Sequence, residues 1–118
     1  MVGMAPTDSD GAVPVDGYGP GFFRVGGQIH YGPVIVTAEG AQPWGGMDDL
    51  AALLALGGQI DVLFLGMGKD IVRLSPELEA RFDAIGIMAE AMATLQAARS
   101  YNVTLSEGRR VACALLPL

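Results

Sequence analysis

Histidine, cysteine and basic residues are scarce in this sequence, and each shortage excludes a class of function. His30 and Cys113 are the only residues of their kinds, so the chain cannot build an ordinary Cys/His zinc site or an internal disulfide. Seven Lys and Arg against thirteen Asp and Glu leave a net charge of −6, which disfavours nucleic acid and anionic membrane surfaces as partners. We therefore expect no metal, no cofactor and no nucleic-acid partner.

Long apolar segments are also missing. The longest run, residues 50–60, is interrupted by two glycines and falls short of the ~20 residues that a membrane-spanning helix needs. The first residues have neither a basic cluster nor an apolar signal core, and Asp8 and Asp10 make them acidic, unlike a targeting peptide. These features predict a soluble, cytoplasmic protein without membrane insertion.

The residues that are present predict one globular domain preceded by an arm. Hydrophobic residues make up 51% of the 118 positions and charged residues 17%, a composition that supports a buried core and argues against disorder. Residues 1–13 are small and acidic and contain Pro6 and Gly11, which predicts a flexible N-terminal arm. We expect a single α/β domain over residues 14–118.

Two β-hairpins are predicted, one near each end of that domain. Near the N-terminus, β-prone runs at Phe22–Val25 and Gln28–Tyr31 flank a Gly-Gly pair, and glycine tolerates the positive φ of a tight turn. Near the C-terminus, Asn102–Leu105 is predicted to turn into a second strand at Arg110–Leu116. The exposed edge of the first hairpin offers a surface for pairing with a second copy, so a homodimer is one expectation.

The middle of the sequence predicts a β-α-β crossover. The continuous apolar run Val62–Leu65 is typical of a strand covered on both faces. Ser75 and Pro76 mark the start of a helix with apolar residues at i, i+4 and i+7, and Ile87–Met92 is the next strand. Such a crossover makes the two strands parallel, which predicts a small α/β domain.

A glycine-containing loop, Gly66 to Gly68, follows the first of these strands. It does not match a Walker loop, which needs four residues between its glycines and a hydroxyl residue after the lysine, where this chain has Asp70. It also lacks the third glycine of a dinucleotide fingerprint, because position 71 is Ile. The loop is thus either a tight turn or a place where backbone amides line a ligand.

A polar cluster, residues 99–102, lies where the next predicted helix gives way to a strand. In α/β sheets ligands favour the carboxyl ends of strands, so this cluster and the glycine loop are candidates for one cleft. Structural roles are an open alternative, with Asn102 as a helix cap and Tyr101 packed in the core. The candidate ligand-binding residues are Gly66, Met67, Gly68, Arg99, Tyr101 and Asn102. No catalytic residue is assigned. A Ser-His-Asp site would have to use the lone His30, and the sequence has no GxSxG motif to supply the serine nucleophile.

Several motifs, in order and at matching separations, resemble one family of small domains. They are Gly66-x-Gly68, Ser75-Pro76-Glu77-Leu78, Gly86-Ile87, Met92-x-Thr94, Arg99-x-Tyr101-Asn102 and Glu107-Gly108-Arg109. The family contains the mitochondrial NADH:ubiquinone oxidoreductase complex assembly factor 3, the adipogenesis-associated protein and many bacterial and archaeal members of unknown function. The similarity extends over residues 17–117.

The resemblance implies a three-layer α/β fold with a central mixed β-sheet and no known catalytic reaction. For the mitochondrial relative it implies help in assembling respiratory complex I, so for a bacterial member we expect protein partners, among them respiratory-complex assembly components. Met67 and Ala93 replace the threonine and aspartate common in the family, which removes polar groups and argues against an enzyme. The alternative is a small-molecule-binding protein or enzyme that uses the predicted cleft.

Overall fold

The computed structural model describes residues 2–4, 11–70 and 72–118. Within these residues the chain forms two β-sheets and three α-helices. The strands are Val2–Gly3 (β1), Val15–Gly19 (β2), Phe22–Val25 (β3), Gln28–Tyr31 (β4), Val34–Thr37 (β5), Gly40–Pro43 (β6), Val62–Gly66 (β7), Met88–Met92 (β8) and Val111–Leu115 (β9). The helices are Leu50–Leu54 (α1), Pro76–Ala84 (α2) and Thr94–Ser106 (α3), and a 3-10 turn covers Gly46–Asp48.

The larger sheet has five strands in the order β6-β5-β9-β7-β8. β7 runs parallel to both β8 and β9, whereas β5 runs antiparallel to both β9 and β6. The chain leaves β7, passes through α2 and returns in β8, which is the predicted β-α-β crossover. The expected central mixed sheet is therefore confirmed.

Both faces of this sheet are covered, which makes the domain three-layered. Consecutive strand side chains point to opposite faces, and in β7 the pair Val62 and Phe64 packs toward α3 and the smaller sheet. Leu63 and Leu65 pack on the other face, in the cluster that contains Leu53 of α1 and Phe82 of α2. Because both faces of β7 pack against hydrophobic side chains, the strand needs apolar residues at consecutive positions.

The smaller sheet has four strands in the order β1-β2-β3-β4. Its β3–β4 hairpin turns through Gly26 and Gly27, whose φ angles of 55° and 81° confirm the predicted glycine turn. The predicted N-terminal arm falls partly outside the described residues, at positions 1 and 5–10. Of the remainder, Val2–Gly3 pair with β2, and the Val13 amide donates to the Ala38 carbonyl at 3.0 Å.

The predicted C-terminal hairpin is wrong. Residues 102–105 belong to α3, which continues to Ser106, and β9 pairs with β5 and β7 instead. The segment contains β-prone Val103 and Thr104, but buried Ala98, Tyr101 and Leu105 follow a helical spacing. Burial of that helical face against the sheet outweighs the local strand preference.

Candidate functional site

The Gly66–Gly68 loop is held by hydrogen bonds within the protein. The Met67 amide donates to the Met92 carbonyl at 2.9 Å. The Gly68 amide donates to Thr94 Oγ1 at 2.8 Å, and the Thr94 amide donates to the Gly68 carbonyl at 2.8 Å. Two amides that were candidates for ligand binding are therefore directed at β8 and at the first residue of α3.

Thr94 connects three elements at this point. Its hydroxyl accepts from the Gly68 amide and donates to the Leu116 carbonyl at 2.7 Å. The Leu116 amide in turn donates to the Gly66 carbonyl at 2.9 Å. Thr94 is fully buried, so its hydroxyl joins the ends of β7 and β9 to the start of α3. Sequence reasoning noted Met92-x-Thr94 but gave Thr94 no role; the signal was a hydroxyl at a helix start.

The two glycines of the loop are required for different reasons. A Cβ atom on Gly66 would lie 2.8 Å from the Thr94 Cα and 2.9 Å from the Leu115 Cδ2, which is too close for any side chain. Gly68 has open space around it but a φ of 89°, a backbone conformation that favours glycine. Both features serve the close approach of the loop to α3.

Tyr101 and Asn102 attach α3 to the chain entering β2. The Asn102 side-chain amide donates to the Val15 carbonyl at 2.7 Å, and its oxygen accepts from the Val15 amide at 2.9 Å. The Tyr101 hydroxyl donates to the Val13 carbonyl at 2.8 Å. Both side chains are buried, and burial raises the pKa of the Tyr101 hydroxyl. This geometry matches the packing alternative for Tyr101, whereas Asn102 lies inside α3 rather than at its end.

Arg99 lies on the exposed side of α3. Together with Asn102, Tyr18 and residues 2–4 it lines a cavity of about 360 Å³. The Gly66–Gly68 loop lies at the first residue of α3, about 12 Å along the helix from Asn102 at 1.5 Å per residue. The structure thus brings Arg99 and Asn102 to one cavity and places the glycine loop outside its lining. A ligand-binding role for the six residues stays a prediction.

The buried polar groups near this site have their hydrogen bonds within the protein. Across the described ranges, every buried side-chain nitrogen or oxygen has a partner. Those ranges also hold no group of three or more His, Cys, Asp or Glu side chains placed to bind a metal ion. In the same part of the chain, no helix is both long enough and apolar enough to cross a membrane. Thr94, Tyr101 and Asn102 thus connect α3 to neighbouring parts of the fold.

Large apolar side chains are exposed at an open edge of each sheet. On β4, the outermost strand of the smaller sheet, Ile29 is 41% and Tyr31 is 78% exposed, and on β8 Met88 is 59% exposed. Sequence reasoning identified the β4 edge and missed that of β8. The signal present was Glu90 in the middle of an apolar strand, but the position of β8 in the sheet depends on strand order.

A mixed five-stranded sheet, covered on one face by two helices and on the other by α3 and a second sheet, defines a class of small three-layer α/β domains. The chain belongs to the family described as Protein of unknown function (DUF498/DUF598), whose family model matches residues 15–116. That match covers both sheets apart from β1 and confirms the predicted family membership.

Individual proteins of this kind are known from bacteria and animals. An uncharacterised protein of Rhodobacter capsulatus is 57% identical over 117 residues, covering 98% of this chain and 94% of that protein. The NADH dehydrogenase [ubiquinone] 1 alpha subcomplex assembly factor 3 of Danio rerio is 28% identical over 123 residues, covering 98% of this chain and 71% of that protein.

A solved structure shares the fold. The crystal structure of an outer membrane protein from Bartonella henselae superposes with a TM-score of 0.81 at 33% identity, covering 91% of this chain and 96% of that one. The described residues of this chain therefore have the architecture of an experimentally determined relative.

Proposed function

We propose that this chain is a non-enzymatic protein-binding domain that takes part in the assembly of a respiratory complex. The observation that carries the proposal is a contrast between polar side chains that form hydrogen bonds within the fold and apolar side chains that are exposed to solvent. The side chains of Thr94, Tyr101 and Asn102 on α3 bond within the fold. In contrast, Ile29, Tyr31 and Met88 are exposed at sheet edges. An open strand edge can pair with a strand of another chain, which supports a protein partner.

The distant similarity to an animal complex I assembly factor supports the choice of partner. Under this proposal the partners are proteins of a respiratory complex or of its assembly, and the protein acts in the cytoplasm. The proposal requires no cofactor and no nucleic acid. It is consistent with the net charge of −6, which does not favour phosphate backbones.

The proposal is tested by deleting the gene in its native organism and measuring assembled complex I. Native gel electrophoresis and NADH:ubiquinone oxidoreductase activity should both fall in the deletion strain and recover with the wild-type gene. Variants that replace Tyr31 or Met88 by Lys should accumulate normally, because these side chains are exposed, and the variant at the binding edge should restore less complex. Normal complex I in the deletion strain would refute the assembly role.

A homodimer through the β4 edge is the second interaction that we propose for testing. β4 contains Ile29 and Tyr31 and no Lys, Arg, Asp or Glu, so pairing with a second copy brings no like charges together. Sedimentation analysis over a wide concentration range should show dimers that Tyr31→Lys disrupts. Monomers at every concentration would exclude this contact.

A further inference from the structure

The outer edge of β8 has hydrogen-bonding groups without partners in the fold. β8 is last in its sheet and pairs with β7 alone. The Met88 amide donates to the Asp61 carbonyl at 2.8 Å, and the Met92 carbonyl accepts from the Met67 amide at 2.9 Å. Since these groups alternate along a strand, the amides and carbonyls of Ala89 and Ala91 point away from β7. No backbone hydrogen bond joins them to another described residue.

A groove runs beside this edge. It lies between β8 and the beginning of α2 and has a volume of about 560 Å³. One wall is formed by Arg73, Leu74, Pro76 and Glu79, and the other by Ala89, Glu90 and Ala91. The alanine side chains are small and only half-buried, so they leave room for side chains of an added strand. A strand edge flanked by a helix is one arrangement in which domains bind extended peptides.

The charge at the centre of β8 decides between a second copy and a different protein. The antiparallel register that uses the outward groups of both alanines in each strand pairs Ala89 with Ala91 of the second copy. That register places Glu90 directly opposite Glu90 of the second copy, and like charges at such a position are destabilising. Arg73 and Glu79 both lie on the groove wall, on the side of the sheet that the alanines face. The Glu90 side chain points to the opposite face and is exposed, so a basic side chain is favoured opposite Glu90.

We infer that the groove between α2 and β8 binds an extended peptide segment of a different protein, added as a strand to the edge of β8. The segment has a Lys or Arg opposite Glu90. It has small or apolar side chains on the face toward Leu74 and the alanines, and another apolar side chain near Met88, which is 59% exposed. This inference rests on the proposed function and names the chemical class of its partner.

The first experiment identifies the segment. A photoactivatable amino acid is placed at exposed position 73 on the groove, and crosslinking is carried out in the native organism. Mass spectrometry of the crosslinked peptide should identify a segment of another protein with a basic residue at its centre. A crosslink only to a second copy of this chain, or no crosslink at all, would overturn the inference.

The second experiment tests strand addition with a synthetic peptide of the crosslinked sequence. The peptide should shift the NMR signals of the 89–91 amides. Ala91→Pro removes an outward amide that has no partner among the described residues, and proline is tolerated at such edge positions. It should weaken binding about tenfold, as expected for one lost hydrogen bond. Ile29→Pro on the β4 edge is the matched control and should leave affinity unchanged; equal affinity of wild type and Ala91→Pro would overturn the inference.

A charge exchange provides a test that does not depend on proline. Glu90→Lys should weaken binding, and a peptide with Glu in place of its central basic residue should restore it. Absence of restoration contradicts the predicted pairing with Glu90.

The deletion strain separates the two proposals. If the wild-type gene and Ala91→Pro restore complex I equally, the assembly role stands and the β8 groove is excluded. If the deletion leaves complex I intact, the assembly role fails whatever the peptide binds.

Discussion

The polar residues of α3 and the outer edge of β8 have opposite arrangements of hydrogen-bonding groups. On α3, Thr94, Tyr101 and Asn102 have the chemistry expected of a binding site, yet their polar atoms bond to the backbone of neighbouring segments. On β8, Ala89 and Ala91 have no reactive side chains, yet their backbone groups are open to a partner. If the proposed β8 groove binds a partner, unused hydrogen-bonding capacity of the backbone marks the binding site better than residue type does.

Among the variants that compare the two regions, Asn102→Ala should show the largest loss of stability. Asn102→Ala leaves the buried amide and carbonyl of Val15 without partners, at about 1–3 kcal/mol each. We therefore expect the free energy of unfolding to fall by about 2–6 kcal/mol. Urea denaturation measures the change. Arg99→Ala, on the exposed side of the same helix, is the control and should change stability by less than about 0.5 kcal/mol. Similar losses for the two variants would contradict an internal role for Asn102.

The two loop glycines should differ in their tolerance of alanine. Gly66→Ala places a methyl group against the Thr94 backbone and should reduce stability by about 1–3 kcal/mol. Gly68→Ala meets no neighbouring atom but retains a φ of 89°, so about 1 kcal/mol is expected. Thermal unfolding of the two variants measures which substitution reduces stability more. If Gly68→Ala proved the more harmful, contact with α3 would not be what restricts this loop.

Tyr101 should make stability depend on alkaline pH. Its folded-state pKa is raised by burial, so its contribution is fully present below the unfolded pKa of about 10 and is lost as pH rises above that value. Tyr101→Phe should reduce stability at neutral pH by about 1 kcal/mol, and the difference from wild type should narrow above pH 10. Buried Cys113, whose pKa is also raised, is present in both proteins and cancels in the difference. A difference that stays constant to pH 11 would contradict this role.

Met88→Lys, at the open edge of β8, should show the smallest change in stability. Met88→Lys replaces a side chain that is 59% exposed at the open edge, and we expect a change within about 0.5 kcal/mol. Met92→Lys is the matched variant on the same strand and face, where the side chain is only 7% exposed, and should cost at least about 2 kcal/mol. Comparable losses would show that the edge is covered in the folded protein.

Local signals in the sequence predicted local structure correctly. Ser75 was predicted to cap α2, and its Oγ accepts from the Leu78 amide at 3.2 Å. The glycine pair predicted the β3–β4 hairpin for the same reason, since the conformation depends on those residues themselves. Capping and turn formation require only neighbours in sequence.

The candidate site was less predictable because its contacts are distant in sequence. Asn102 bonds to Val15, 87 positions away, and no nearby residue indicates that partner. The edge position of β8 follows from the strand order of the sheet, which the sequence pattern does not contain. The predicted hairpin at Asn102–Leu105 was wrong for a related reason, because packing on the sheet selected a helix.

The central place of β9 in the larger sheet has a consequence for folding during synthesis. β5 and β7 have no hydrogen bonds to each other and are joined only through β9, which is translated after every other strand that the structure describes. Until β9 leaves the ribosome, β5 and β7 lack the strand that pairs with their inner edges. Such a nascent chain is exposed to aggregation, so a pause in translation before β9 should increase its dependence on chaperones.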